Sequence, residues 1–233
     1  MECPIRQYRK KNHLRAYQGG TKTMIRTNNS PYTAITGCTF LYYEFSRMLP
    51  LLMEANAEAL LRDEVENNRV LQVNSLASRK RFVAEFKRRY AAVPRPFWQA
   101  WQQLSEAGQR AGLFYAILKT YKLVFDLHVN VAMRKWRSVD HTLQRDDLMM
   151  ELNELSAHDA YVDSWSDLTK SKCCSSYLTM LRQSGLLDAK SHALTPIHLD
   201  ANEWAYYVRK GEEWFLEACL LYPYEMNDIK SLL

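Results

Sequence analysis

Ser164–Ile197 reads SWSDLTKSKCCSSYLTMLRQSGLLDAKSHALTPI, and its punctuation decides how the C-terminal part of the chain is read. Ser166 or Asp167 offers an oxygen to an orphan N–H of a first helical turn. Gly185 stands where a left-handed residue closes a last turn. Between them Ser171, Cys174, Tyr177, Leu178 and Leu181 recur at helical spacing, which predicts an inward face. Thr169, Lys172, Ser176, Thr179 and Gln183 are then predicted to face outward. Asp167 is the sole carboxylate from Asp167 to Ser184, and it sits at the N-terminus, where the helix dipole favours it. Short hydroxyl and amide donors without an acid suit a helix laid in a groove walled by phosphates. They also suit an ordinary solvated face, and the residues alone leave both readings open.

Two short apolar runs follow, Gly185–Asp188 and Ala193–Thr195, linked by Ala189-Lys190-Ser191-His192. They predict a small β-hairpin with Lys190 and His192 at its tip, ended by Pro196, which has no N–H to donate to a ladder. Upstream, Leu148, Met149, Leu152 and Leu155 predict a helix over Gln144–His158. Helix, helix and hairpin in that order resemble the back half of a winged helix, although the Asp159–Trp165 link is longer than the usual turn.

The rest of the chain reads as mainly α. Seven Gly and seven Pro in 233 residues are few breakers. Helices are predicted over 37–48 with Pro50 as a break or kink, over 54–65, from a Ser78 cap to Ala92, and over 97–106 behind Pro96. A single long helix, about 45 Å, is predicted from Gln109 to Val139. Shorter ones are predicted over 201–209 and 212–221, with Trp165, Trp204 and Trp214 forming a small aromatic core. The organisation expected is a basic arm over 1–30, a helical bundle over 31–140 and a winged-helix-like region over 141–233.

Charge is unevenly spread. Residues 1–26 hold seven basic residues and one acid, whereas the other 207 hold 24 basic and 25 acidic, so the net +5 comes from the arm. Such an arm can bind phosphates nonspecifically, or it is an unstructured leader with Met24 as the start of the working chain. A second basic feature is SRKRFVAEFKRRYAA, residues 78–92. Phe82, Val83, Phe86 and Tyr90 predict its inner stripe, leaving Lys80, Arg81, Lys87 and Arg88 outward to track a phosphate backbone or simply to be solvated.

No signal for catalysis, cofactor or metal appears. There is no phosphate-cradling glycine loop and no G-x-S-x-G elbow. The six His are scattered, and the five Cys include no C-x-x-C, as expected of reduced thiols in a cytoplasmic protein. Asp146-Asp147 and the Glu151/Glu154 pair read as solvated helix charges. Leu113–Met133 is the most apolar stretch. Lys119, Lys122, Asp126 and His128 inside it argue against a membrane span.

Tyr32-Thr33-Ala34-Ile35-Thr36-Gly37, then Leu41-Tyr42-Tyr43-Glu44-Phe45-Ser46-Arg47, resemble the opening of the BrxA family, small components of bacteriophage-exclusion (BREX) defence operons. Trp165-Ser166-Asp167-Leu168-Thr169-Lys170 with Leu178, Leu181 and Gly185-Leu186-Leu187 resemble its C-terminal motif, and Tyr206-Tyr207-Val208-Arg209 and 212–220 fit as well. The resemblance implies a helical, NusB-like protein that binds double-stranded DNA without catalysis, beside a methyltransferase, an ATPase and other BREX components. It carries no catalytic motif. The expected contacts come from the faces read above: Thr169, Lys170, Lys172, Ser176, Thr179, Lys190 and His192, with Lys80, Arg81, Lys87 and Arg88 on phosphates. A scaffold for other BREX proteins and an antitermination-like RNA binder are the rival expectations.

Overall fold

The structure, a computed structural model, describes residues 30–37 and 40–233. The expected basic arm therefore lies outside the described residues, save Ser30. The first helices are α1 (Tyr42–Met53), α2 (Ala57–Asn67), α3 (Leu76–Ala91), α4 (Arg95–Trp101) and α5 (Glu106–Thr120). Pro50 does not end α1 but sits inside it. The cap of α3 is Ser75, three residues before the expected Ser78, whose N–H its hydroxyl accepts at 3.4 Å. Between α2 and α3 the buried Glu64 carboxylate accepts the N–H groups of Arg69, Val70 and Leu71 at 2.8–3.1 Å, which turns the chain without strands.

The expected single helix from Gln109 to Val139 is broken. Tyr121 is extended (φ −120°, ψ 109°), and α6 (Lys122–Leu127) starts anew behind it. Neither Gly nor Pro causes this; a buried polar network holds it. The Tyr121 hydroxyl donates to Glu85 Oε1, which also receives Arg89 Nε and Nη2 at 3.1 and 3.0 Å. Arg89, with no exposed surface, spends Nη1 on the Phe40 carbonyl. Burial, then the Glu85 charge, raises the Tyr121 hydroxyl far above its usual pKa, so it stays a donor.

α6 runs through a π-helical turn, His128–Ala132, into α7 (Met133–Trp136). The turn seats the fully buried His128 between two other elements. Nε2 lies 2.7 Å from the Ala218 carbonyl and Nδ1 2.9 Å from the Tyr177 hydroxyl. A carbonyl only accepts, so Nε2 carries the proton and Nδ1 accepts from Tyr177.

The C-terminal half holds α8 (Arg145–His158), the one-turn α9 (Ala160–Asp163), α10 (Asp167–Ser184), α11 (Ala201–Arg209), α12 (Trp214–Ala218) and α13 (Pro223–Ser231). The expected β-hairpin does not form, and with it the winged-helix expectation fails at its β part. Among the described residues extended backbone pairs only as isolated bridges, Leu187 with Leu194 and Thr142 with Ala193. Two hydrogen bonds do cross between the runs, Asp188 N–H to the Ala193 carbonyl at 2.9 Å and Thr195 N–H to the Leu186 carbonyl at 3.0 Å, and the Asp188 carboxylate holds the turn by accepting the N–H groups of Lys190 and Ser191 at 3.0 and 2.7 Å. The Leu194 N–H goes instead to the His141 carbonyl at 2.9 Å, and His192 is left-handed at φ 58°, so the pairing stops there.

One aromatic-rich core joins these parts, running from Tyr32 to Met226. The expected packing role of Trp165, Trp204 and Trp214 holds, since all three are buried. Trp204 and Trp214 contact Phe215, and Tyr115 and Tyr207 tie that cluster to Phe97. A strap over 30–37 crosses the outside. The Ser30 hydroxyl donates to Asp159 and the Tyr32 hydroxyl to Asp126, each at 2.8 Å. The Ile35 backbone lies beside the buried Cys173 thiol, and Gly37 lies against Arg81.

Candidate nucleic-acid interface

α10 is the centre of the candidate surface, and its ends are those expected. The Ser166 hydroxyl accepts the Thr169 N–H at 3.2 Å, and Gly185 closes the helix at φ 90°. Its far end is fastened by Arg110 of α5, which donates to the Gln183 carbonyl, the Tyr43 hydroxyl and Glu106 at 3.0, 3.1 and 2.7 Å.

α10 packs against both α8 and α5, and the strap covers it at Cys173. The buried arc is therefore wider than one stripe. Cys174, Tyr177, Leu178 and Leu181 are buried as expected, and so are Cys173 and Met180. Two expected contact residues are lost to this arc: Lys170 is 8% and Ser176 6% exposed. Conversely Ser171, expected inward, reaches the surface and is half-buried. The open stripe runs through Leu168, Lys172 and Gln183, which are exposed, with Thr169, Ser171, Ser175, Thr179 and Arg182 half-buried beside them. Thr179 spends its proton on the Ser175 carbonyl at 2.9 Å, and Thr169 shares one with Ser166 at 3.0 Å.

Sequence reasoning missed the residue that most shapes this stripe. Arg145, the first residue of α8, lies over α10 and donates from Nη1 to Ser171 Oγ at 2.9 Å and from Nη2 to Ser175 Oγ at 2.6 Å. It is exposed. No ion pair involves it among the described residues. The nearby Asp147 is engaged elsewhere, by Lys135 at 3.1 Å and the Gln144 N–H at 2.7 Å. The weak signal in the sequence is the serine pair one turn apart on α10; nothing near Arg145 points to it.

The other expected residues divide in the same way. Lys190 is exposed, whereas His192 is half-buried with Nδ1 shut away from solvent. On α3, Lys80 and Arg81 are exposed, Arg81 stacking over the Phe82 ring at 5.7 Å. Lys87 is taken by Glu58 at 2.5 Å, and Arg88 reaches Glu85 at 3.7 Å. The inner side of α3 is Val83, Glu85, Phe86 and Arg89 rather than the all-apolar stripe expected, with Phe82 and Tyr90 only half-buried.

Thiol chemistry is not prepared here. Burial raises the Cys173 and Cys219 thiols, and burial with the adjacent Cys173 pushes Cys174 up to about 11. Among the described residues no group of His, Cys, Asp or Glu is placed to hold a metal ion, and no helix is long and apolar enough to cross a membrane.

The model of the BrxA family matches residues 31–209. No curated protein matches the chain. The fold is similar to the crystal structure of an uncharacterized protein from Magnetospirillum magneticum, with a TM-score of 0.69 and 23% identity, covering 82% of this chain and 98% of that one.

Proposed function

The chain belongs to the BrxA family, and on that premise we propose that it is a non-catalytic, double-stranded DNA-binding accessory protein of BREX phage defence. Membership carries BREX-associated phage defence with it. The DNA reading rests on one observation: the open stripe of α10 presents Lys172, Arg182, hydroxyls and the overlying Arg145, and holds no acid beyond Asp167 at its N-terminus. Lys80 and Arg81 are exposed on α3, and Lys190 is exposed on the turn after α10. Lys170, Ser176 and Lys87 are withdrawn as contacts because they are buried or paired. Sequence preference is weak on this reading, because phosphate contacts position a protein without reading bases. The protein would act in the cytoplasm beside the methyltransferase and ATPase components.

Duplex affinity measured across a salt series tests the reading. Four to five phosphate contacts from Lys172, Arg182, Lys80, Arg81 and Lys190 give a slope of log affinity on log salt of about −3.5 to −4.5. A double variant, K172E and R182E, flattens that slope. Affinity indifferent to salt would sink the proposal, and preference for single-stranded RNA in competition would favour the antitermination-like rival.

A scaffold role has its own supporting observation. Tyr222 and Tyr224 stack at 5.9 Å on the surface, and Trp136 joins them at 5.3 Å, forming an aromatic patch suited to another BREX protein. On that reading, charge reversal at Lys172, Arg81 and Arg88 leaves phage resistance intact.

A further inference from the structure

We infer that Arg145 reads a guanine in the major groove, an assignment that rests on the DNA reading above and narrows it to a preferred base. The argument begins with its place. Ser171 and Ser175 are one turn apart in the middle of the open stripe, so the guanidinium lies over the centre of the surface. A recognition helix in the major groove brings its N-terminal residues to the base edges, and Ser171 and Ser175 lie in the N-terminal half of α10. The exposed cations Lys80, Arg81 and Lys190 belong to other elements and are left for the phosphates.

Donor geometry is the second step. A guanidinium carries five N–H donors in a plane. Ser171 and Ser175 take one each from Nη1 and Nη2, which leaves Nε and the remaining Nη hydrogens open to solvent. Two of these are side by side, which matches the paired O6 and N7 acceptors of guanine, the commonest specific contact made by arginine. The serines also cost the group little freedom on binding. Ser175 is itself fixed, donating to the Ser171 carbonyl at 3.1 Å, so the fork is held in place before any ligand arrives. Adenine offers a donor where guanine offers O6, and neither pyrimidine presents two adjacent acceptors, so an arginine held this way discriminates.

The test compares the full chain on two duplexes of one guanine-rich sequence, one natural and one with 7-deazaguanine at every guanine. The substitution exchanges the N7 acceptor for a C–H and leaves the phosphates as they were. Anisotropy titrations at fixed salt are expected to show about a tenfold weaker binding of the 7-deaza duplex by the wild-type chain. R145A is expected to bind both duplexes equally. R145K is expected to keep the salt slope and lose the preference, because lysine keeps the charge and not the fork. The S171A/S175A double variant shrinks the preference without removing it. Wild-type binding that is salt-dependent yet equal on both duplexes overturns the assignment and leaves the DNA reading standing. No binding to either duplex overturns the DNA reading, and the assignment with it.

Discussion

Acidification should loosen this protein through one residue. His128 is buried, neutral, and wedged between the Tyr177 hydroxyl of α10 and the Ala218 carbonyl of α12. Burial lowers its pKa from 6.5 to about 4. The unfolded chain therefore takes up the proton first, and stability falls as pH drops below about 6.5, levelling off below about 4. Linkage over that interval removes about 1 kcal/mol by pH 5.5 and about 2 to 3 kcal/mol by pH 4.5. Urea unfolding of wild type and H128Q at pH 7.5, 5.5 and 4.5 measures it. Glu58, Asp140 and Asp188, whose carboxyls hydrogen bonds hold below their usual range, also weaken the fold as pH falls, but they do so in both proteins. The His128 share is the difference between the two pH profiles. Because Tyr177 belongs to α10, duplex affinity of the wild type should fall in the same window. Parallel loss of stability in wild type and H128Q would refute the reasoning.

Removing the α10 cap in S166A leaves the Thr169 N–H without its acceptor, and a loss of about 1 kcal/mol is expected, read as a melting point lower by about 2–4 °C. Gly112 in α5 is set against Trp101, where an added Cβ would stand 2.5 Å from Cδ1 and 3.2 Å from Phe97 Cζ. G112A gains about 1 kcal/mol of helix propensity but overpacks two buried rings, so calorimetry should show a net loss of about 1 to 2 kcal/mol; a more stable variant contradicts that packing.

What the sequence disclosed was local. Ser166 and Gly185 bound α10 because a cap and a left-handed stop act within a turn of themselves. Cys174, Tyr177, Leu178 and Leu181 were readable as an inner face for the same reason. Lys170 and Ser176 were misread because a helix wheel assumes one packing partner, and α10 has α8, α5 and the strap around it. Arg145 was illegible because its serines lie 26 and 30 residues away on another helix. The break at Tyr121 has no breaker residue; it depends on Glu85 and Arg89, which only the fold brings near. The hairpin failed because its runs are short and the second shares its pairing with residues 141–143, whose approach a local reading does not contain.

The π turn at His128–Ala132 also limits how this chain can vary in length. Such a turn holds one residue more than an α-helical turn. Deleting a residue there would restore regular helix and rotate everything after it by about 100° relative to what came before. Val131, Ala132 and Met133, all buried, would swing off the core, and His128 would lose its register with Tyr177 and Ala218. Relatives of this chain should therefore differ in length in the loops at 68–75 or 137–144, and keep the count from Tyr121 to Trp136 unchanged.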